Sequence, residues 1–390
     1  MPIPVIAGVA MTRFGKFLDT PLRDLAGEAC LSALRDAGLE PRQVDMVFFA
    51  NGAAGLVNGQ EMIRGQVALR ALPLGGVPLY NVENACASGA AAIDLACMAI
   101  EAGRAEVILV CGAEKLNHPD KSVSANALAN AADPVEMEER RKASPTGAVF
   151  MDLYAEWARD YMATTGATPE DYAAVTVKSR ALAANSPYAQ FTRQTTVEEV
   201  LAERMIAAPL TLSMCSGMGD GAAAVIVMSQ ARAKALGADY VTVRGSALVS
   251  AIDADGVASP AERSTRRAFE IAGIDPRDLE VVELHDASSP SELILYEKIG
   301  LCAAGEGPRM LREGMTLPSG KVAVNAGGGL LSRGHPVGAT GAAQVVEVVN
   351  QLRGRAGKNQ KDGARLGLAQ NQGGYIRNDA AVSSAIVLER

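Results

Sequence analysis

Short apolar runs alternate along the chain with longer stretches of helical periodicity. The N-terminal MPIPVIAGVAMTRFG reads as a first strand. Further strands are expected over Glu106 to Gly112, Ala222 to Ser229, Lys321 to Asn325, Ala364 to Ala369 and Ser384 to Leu388, each short and rich in valine, isoleucine or alanine. Helices fall between them, and this alternation predicts an α/β fold with sheets covered by helices. The pattern occurs twice. ALRDAGLEPRQVDMV, from Ala33, matches AFEIAGIDPRDLEVV, from Ala268, and later ASGAA, from Ala87, matches ATGAA, from Ala339, in the same order. Two related α/β halves are implied, residues 1–230 and 239–390. The helices after Cys86 and after Gly338 carry mostly small residues, which suits burial between layers where backbones approach closely. Between about residues 117 and 209 the pattern changes to polar, proline-punctuated helical segments such as DLYAEWARDYMATTG. This stretch reads as a loop domain inserted in the first half. Its expected work is substrate or cofactor binding and contacts within a dimer.

Composition narrows the class. With 390 residues, 48% hydrophobic and 21% charged, the chain can bury a core without disulfide or metal staples. A net charge of −7 argues against a broad nucleic-acid surface but leaves room for a local pocket for a phosphorylated cofactor. The N-terminus has neither the basic segment nor the cleavage pattern of a signal peptide, and the apolar stretch near Ala90 to Ile100 contains Asp94, so a cytoplasmic location with no membrane span is expected. Six cysteines, at 30, 86, 97, 111, 215 and 302, show no metal-binding or redox-pair spacing and read as free thiols.

Cys86, in NVENACASGAAAIDL, lies where a strand end turns into a small-residue helix. A sulfur at a helix N-terminus meets free backbone N–H groups and the positive end of the helix dipole. These favour thiolate over thiol and can hold the oxyanion of an attacked thioester. A buried structural cysteine is the competing reading. His335 lies in NAGGGLLSRGHPVGATGAA, and the internal repeat sets Cys86 opposite Gly338, so the two loops should meet and the imidazole can take the thiol proton. The same loop is no phosphate loop, because His-Pro stands where Lys and then Ser or Thr are needed. His285, in VVELHDASS, ends a strand and can hydrogen-bond a carbonyl oxygen or orient water; no second ligand at metal spacing accompanies it. His118, in LNHPDK, fits a surface or lining loop.

Taken together, NACASG, CSGMGDGAAAVIVMS, ELHDA and GGLLSRGHPVGATG, in this order, resemble the thiolase superfamily, and most closely its sterol-carrier-protein-type or lipid-transfer-type branch, over nearly the whole chain. The resemblance implies a thiolase fold, with duplicated α/β halves forming a layered αβαβα core. It implies an acyltransferase that takes coenzyme A thioesters as substrate, with Cys86 acylated, His335 activating it, and His285 together with His335 polarising the second thioester. An oxyanion hole would combine the Cys86 N–H with one from the C-terminal glycine loop. The resemblance also sets Thr265, in RSTRRAF, in the family's pantetheine-contacting region; a helix N-cap is the alternative there. One departure matters. The second cysteine that most thiolases use as acid and base is absent: Ala287 stands at one of its positions and Asn371, two residues before the retained Gly373, at the other. An amide has no accessible pKa for that work. Cleavage or acyl transfer is therefore expected over condensation of acetyl units. A bulky, branched or aromatic β-ketoacyl-CoA such as benzoylsuccinyl-CoA is one candidate substrate. C-acyltransferase or retro-aldol lyase chemistry, or a non-catalytic acyl-CoA scaffold, are the alternatives. The QNxGG ending resembles that of relatives that work with a small OB-fold, zinc-ribbon partner subunit; a homodimer or higher oligomer is also expected, and no metal in this chain.

Overall fold

The computed structural model describes all 390 residues. In chain order its strands are β1 Pro4–Met11, β2 Met46–Ala50, β3 Leu79–Val82, β4 Val107–Lys115, β5 Met205–Ala207, β6 Leu210–Thr211, β7 Asp220–Ser229, β8 Val241–Ser250, β9 Val281–Glu283, β10 Ala323–Val324, β11 Leu366–Gly373 and β12 Val382–Glu389. All but the small β5–β6 hairpin run in the order β10-β9-β11-β12-β8-β1-β7-β4-β2-β3. The order is nearly a mirror about its centre. In each half an antiparallel trio leads into two parallel strands: β1-β7-β4 then β2 and β3, and β8-β12-β11 then β9 and β10. The halves touch edge to edge where Val5 pairs with Thr242 and Ile6 with Val241.

The sequence repeat has a structural counterpart. Helix Leu22–Asp36, a turn at Pro41–Gln43 and β2 correspond to helix Pro260–Ala272, a turn at Pro276–Asp278 and β9. The second repeated segment opens helix Ser88–Glu101 in one half and helix Val337–Leu352 in the other. These two helices form the central layer. Alternate strand residues pack onto them from both halves: Ile386 and Leu388 of β12 face inward, and Ala385 and Val387 face the outer helices. The layering is αβαβα. Only small residues permit the central contact, because a Cβ on Gly341 would stand 2.5 Å from the Ala90 nitrogen and one on Gly89 2.8 Å from the Ala342 nitrogen.

Strand ends differ from those expected. β11 continues past Ala369 through Gln370, Asn371 and Gln372 to Gly373, since the neighbouring β12 pairs residue by residue with this polar stretch. The second-half edge strand shrinks to Ala323–Val324. Between β4 and β7 the insertion holds five helices and the hairpin. Its helices Val149–Thr165 and Pro169–Ala183 pack on the outer face of the second half and join that half's core cluster. No helix is long and apolar enough to cross a membrane.

Candidate active site

The chain after β3 turns abruptly. Ala85 has φ of +47°, a left-handed conformation that costs a residue with a Cβ about 1–2 kcal/mol. The turn is held by Ser88, whose hydroxyl accepts from the Asn84 N–H at 2.8 Å and donates to the Ala85 carbonyl at 2.6 Å. This conformation sets Cys86 immediately before helix Ser88–Glu101, with its side chain on a cavity.

His335 arrives from the other half. Its Nε2 lies 3.2 Å from the Cys86 Sγ, and its Nδ1 lies 2.8 Å from the Thr340 hydroxyl oxygen. Thr340 donates its own proton to the Pro336 carbonyl at 3.0 Å, so its oxygen accepts from Nδ1–H. That assigns the tautomer: Nε2 is the bare acceptor facing the thiol. His285 is fixed in the opposite sense. The Gln344 amide donates to the Gln370 carbonyl at 2.9 Å, which turns its oxygen to accept from Asn371 Nδ2 at 2.7 Å. The second Nδ2 hydrogen then points at His285 Nδ1, 3.2 Å away. His285 therefore keeps its proton on Nε2 and offers the cavity a donor. The two rings meet edge to face with centroids 5.3 Å apart. Asp286 ties their loops together by accepting the Leu330 N–H at 2.7 Å.

Cys86, His285 and His335 have ligand-type atoms all within 4.8 Å of one another. Two offer lone pairs, but the hydrogen bond from Asn371 leaves His285 with an N–H at its other nitrogen, which disfavours a three-ligand metal site.

Electrostatics correct one expectation. Burial, with the nearby Glu114 charge adding to it, pushes the Cys86 thiol up to about 12, although the backbone N–H groups of Cys86 and Gly374 pull the other way. Burial and the Arg333 charge lower His335 to about 4. Burial, and then His335, holds His285 well below the ordinary imidazole value. The resting pair is thus neutral thiol and neutral imidazole rather than a thiolate at a helix dipole, because desolvation outweighs the dipole.

The cavity opens to solvent, and with the solvent space at its mouth it spans about 950 Å³. Cys86, His285, His335 and Gly373 line it, as does Ala287. Gly373 is needed for closeness: a Cβ there would stand 2.2 Å from the Asn84 oxygen and 2.7 Å from the Ala87 nitrogen. Asn371 does not line the cavity; it stands buried behind His285 as that ring's hydrogen-bond donor. Thr265 is corrected on both of its readings. It is 1% exposed in the middle of helix Pro260–Ala272, bonds back to the Ala261 carbonyl at 2.7 Å, and leaves the N-cap to Ser259. His118 holds its own loop through the Asp120 N–H at 3.1 Å and lies away from the cavity.

Several residues that organise the site escaped the sequence reading. Thr340 is one, and the repeat carried a signal for it, since the ASGAA and ATGAA match sets Thr340 opposite Ser88, the hydroxyl that holds the other loop. Glu114 is another. This buried carboxylate accepts from Asn51 Nδ2 at 2.8 Å, Gly52 N at 2.8 Å, Ala53 N at 3.2 Å and Gly338 N at 3.0 Å, which clamps the first-half loop to the start of helix Val337–Leu352, just after His335. Burial raises its pKa, and the N–H bonds oppose that rise. Gln344 and Gly374 complete the set.

A duplicated αβαβα molecule with a cysteine and two histidines converging from both halves defines an acyl-transferring class of enzyme. The chain belongs to the thiolase family: residues 4–231 match the model for the thiolase N-terminal domain, and residues 246–389 match the thiolase C-terminal domain-like model. It is similar to acetyl-CoA acetyltransferase of Methanothermobacter thermautotrophicus, 40% identical over 375 residues that cover 95% of this chain and 96% of the relative. It is 38% identical to benzoylsuccinyl-CoA thiolase subunit BbsB of Thauera aromatica, covering 95% of each chain. Among solved structures it resembles the Ltp2-ChsH2(DUF35) aldolase with a TM-score of 0.81 and 26% identity, over 99% of this chain and 97% of that one. The protein is an acyltransferase of this family, whose members take coenzyme A as substrate.

Proposed function

We propose that this enzyme cleaves a bulky β-ketoacyl-CoA with coenzyme A through a thioester on Cys86. The observation that carries the reading is the 3.2 Å approach of the bare His335 Nε2 to the Cys86 sulfur. As the sulfur attacks the β-keto carbonyl, its proton passes to His335 Nε2, and the developing oxyanion is met by the N–H groups of Cys86 and Gly374. The carbon–carbon bond then breaks. Its electrons move into the enolate of the departing CoA thioester, whose oxygen His285 Nε2–H stabilises. His335 returns its proton to the enolate carbon, which takes over the work of the missing second cysteine. In the second half the thiol of incoming CoA gives its proton to His335 and attacks the acyl group. Cys86 leaves and recovers the proton, and the products are two CoA thioesters.

Mass spectrometry tests this directly. Incubation with a β-ketoacyl-CoA alone should leave an acyl adduct on Cys86 that disappears on adding CoA. Turnover without any adduct, in wild-type protein, would refute it.

The resemblance to an aldolase, together with Asn371 at a position where the family supplies cysteine, favours retro-aldol cleavage as a second reading. Release of an aldehyde or ketone without consumption of CoA distinguishes it. The same neighbour, named together with a DUF35 component, supports a small OB-fold, zinc-ribbon partner for this chain. We further propose a homodimer or larger assembly, and a division of the chain into an N-terminal half, residues 1–230 with a loop domain inserted over about 117–209, and a C-terminal half, residues 239–390.

A further inference from the structure

The cavity beside Cys86 has a one-sided chemistry. One face of helix Val149–Thr165 presents Phe150, Met151, Tyr154 and Trp157 to it, with Tyr154 and Trp157 packed edge to face at 5.3 Å. Leu116, Leu128, Met218 and Tyr375 close the space, and none of the 21 lining residues carries an ordinary positive or negative charge at neutral pH. Two carboxylates act on Cys86, and the cation that acts on His335, Arg333, is already paired with Glu283 at 3.1 Å. Glu114 and Glu83 both act on Cys86 in the sense that disfavours a negative sulfur. Arg140 lies beyond the wall, its guanidinium on the Tyr375 ring at 5.1 Å and bonded to Asn378 Oδ1 at 2.6 Å.

We propose that the acyl fragment carried on Cys86 is uncharged, aromatic or long and apolar, and that a carboxylate on that fragment is rejected. The inference rests on the thiolase reading above and narrows its substrate class. An acyl carboxylate entering this wall would lose its water with no cation or N–H cluster to replace it. A flat ring or a chain would instead meet aromatic faces and methionine sulfur. A carboxylate on the half that departs with CoA is outside this restriction.

Trp157 is the single tryptophan of the chain and lines this wall, so its fluorescence reports occupancy. The probes are hexanoyl-CoA and adipoyl-CoA, which share chain length and differ in the terminal carboxylate. They are titrated into Cys86→Ser protein, where no thiol ester with Cys86 can form. Hexanoyl-CoA should shift the emission, and adipoyl-CoA should need at least about 100-fold more ligand for the same shift, the factor that about 2.7 kcal/mol represents. Met151→Lys should narrow that gap from the adipoyl side. Equal shifts at equal concentration would overturn the inference whatever the enzyme catalyses. Turnover of 3-oxohexanoyl-CoA and 3-oxoadipyl-CoA by the wild type then tests the parent reading separately. A 100-fold preference for the neutral substrate supports both, and CoA-dependent cleavage of neither removes the thiolase reading while the fluorescence result still decides the pocket.

Discussion

Thr340→Val is the sharpest test of the proposed proton path. The substitution keeps the shape of a fully buried side chain and removes the hydroxyl that accepts from His335 Nδ1 at 2.8 Å. The imidazole then either keeps an unpaired N–H in a buried place or moves its proton to Nε2, where it faces the Cys86 sulfur and cannot accept. An unsatisfied buried donor costs about 1–3 kcal/mol, so kcat/KM should fall roughly 5- to 150-fold. Thr340→Ser restores the hydroxyl and should recover most of the loss. CoA-dependent cleavage, followed by chromatography of the acyl-CoA products, gives one readout, and the rate of Cys86 alkylation by iodoacetamide gives another. Both should move together, because both need the thiol proton to leave toward Nε2. A valine variant within about twofold of wild type in both assays would refute the tautomer assignment.

Three further outcomes are expected. Because burial lowers the folded-state value of His335 to about 4 while an unfolded imidazole titrates near 6.5, the unfolded chain binds the proton first, so stability from this residue is full above about pH 6.5 and drains away as pH falls toward 4. A His335→Asn variant should show a shallower fall in denaturant midpoint over that window, and an identical slope would contradict the assignment. Glu114→Ala strands four N–H groups from two loops and should cost at least about 3 kcal/mol by urea unfolding, with Glu114→Gln costing less; a loss under about 1 kcal/mol for the alanine would show that the clamp carries no weight. Gly373→Ala puts a methyl 2.2 Å from the Asn84 oxygen, which must displace the Cys86 turn, so acylation should slow by more than about tenfold while the Trp157 response to hexanoyl-CoA persists; unchanged acylation kinetics would mean the turn yields freely.

The repeat, the strand alternation and the two small-residue helices were legible in the residues themselves. Local periodicity and glycine content are properties of the chain, and the αβαβα layering follows from them once two similar halves must cover one another's apolar faces. Cys86, His335 and His285 were likewise visible as rare, chemically capable residues at strand ends and glycine-rich turns. What could not be read was the direction in which a side chain points and the partner it meets there. Thr265 had the right neighbourhood in sequence and the wrong direction in space, because the helix turns its hydroxyl into its own backbone. Asn371 looked like a failed acid and base, yet the register of β11 places it behind His285, where it sets a tautomer.

The protonation of the pair illustrates the division most clearly. The sequence determined that a sulfur would sit at the start of a helix, which by itself favours thiolate. Only the tertiary structure decided that the sulfur would be desolvated near Glu114 and that the opposing imidazole would be desolvated near Arg333, which leaves both neutral. Dipoles and motifs are local and can be read along the chain. Desolvation comes from groups brought together across the fold, as when Glu114 joins loops 61 and 224 residues away, and apart from the repeat that sets Thr340 opposite Ser88 no one-dimensional pattern records it.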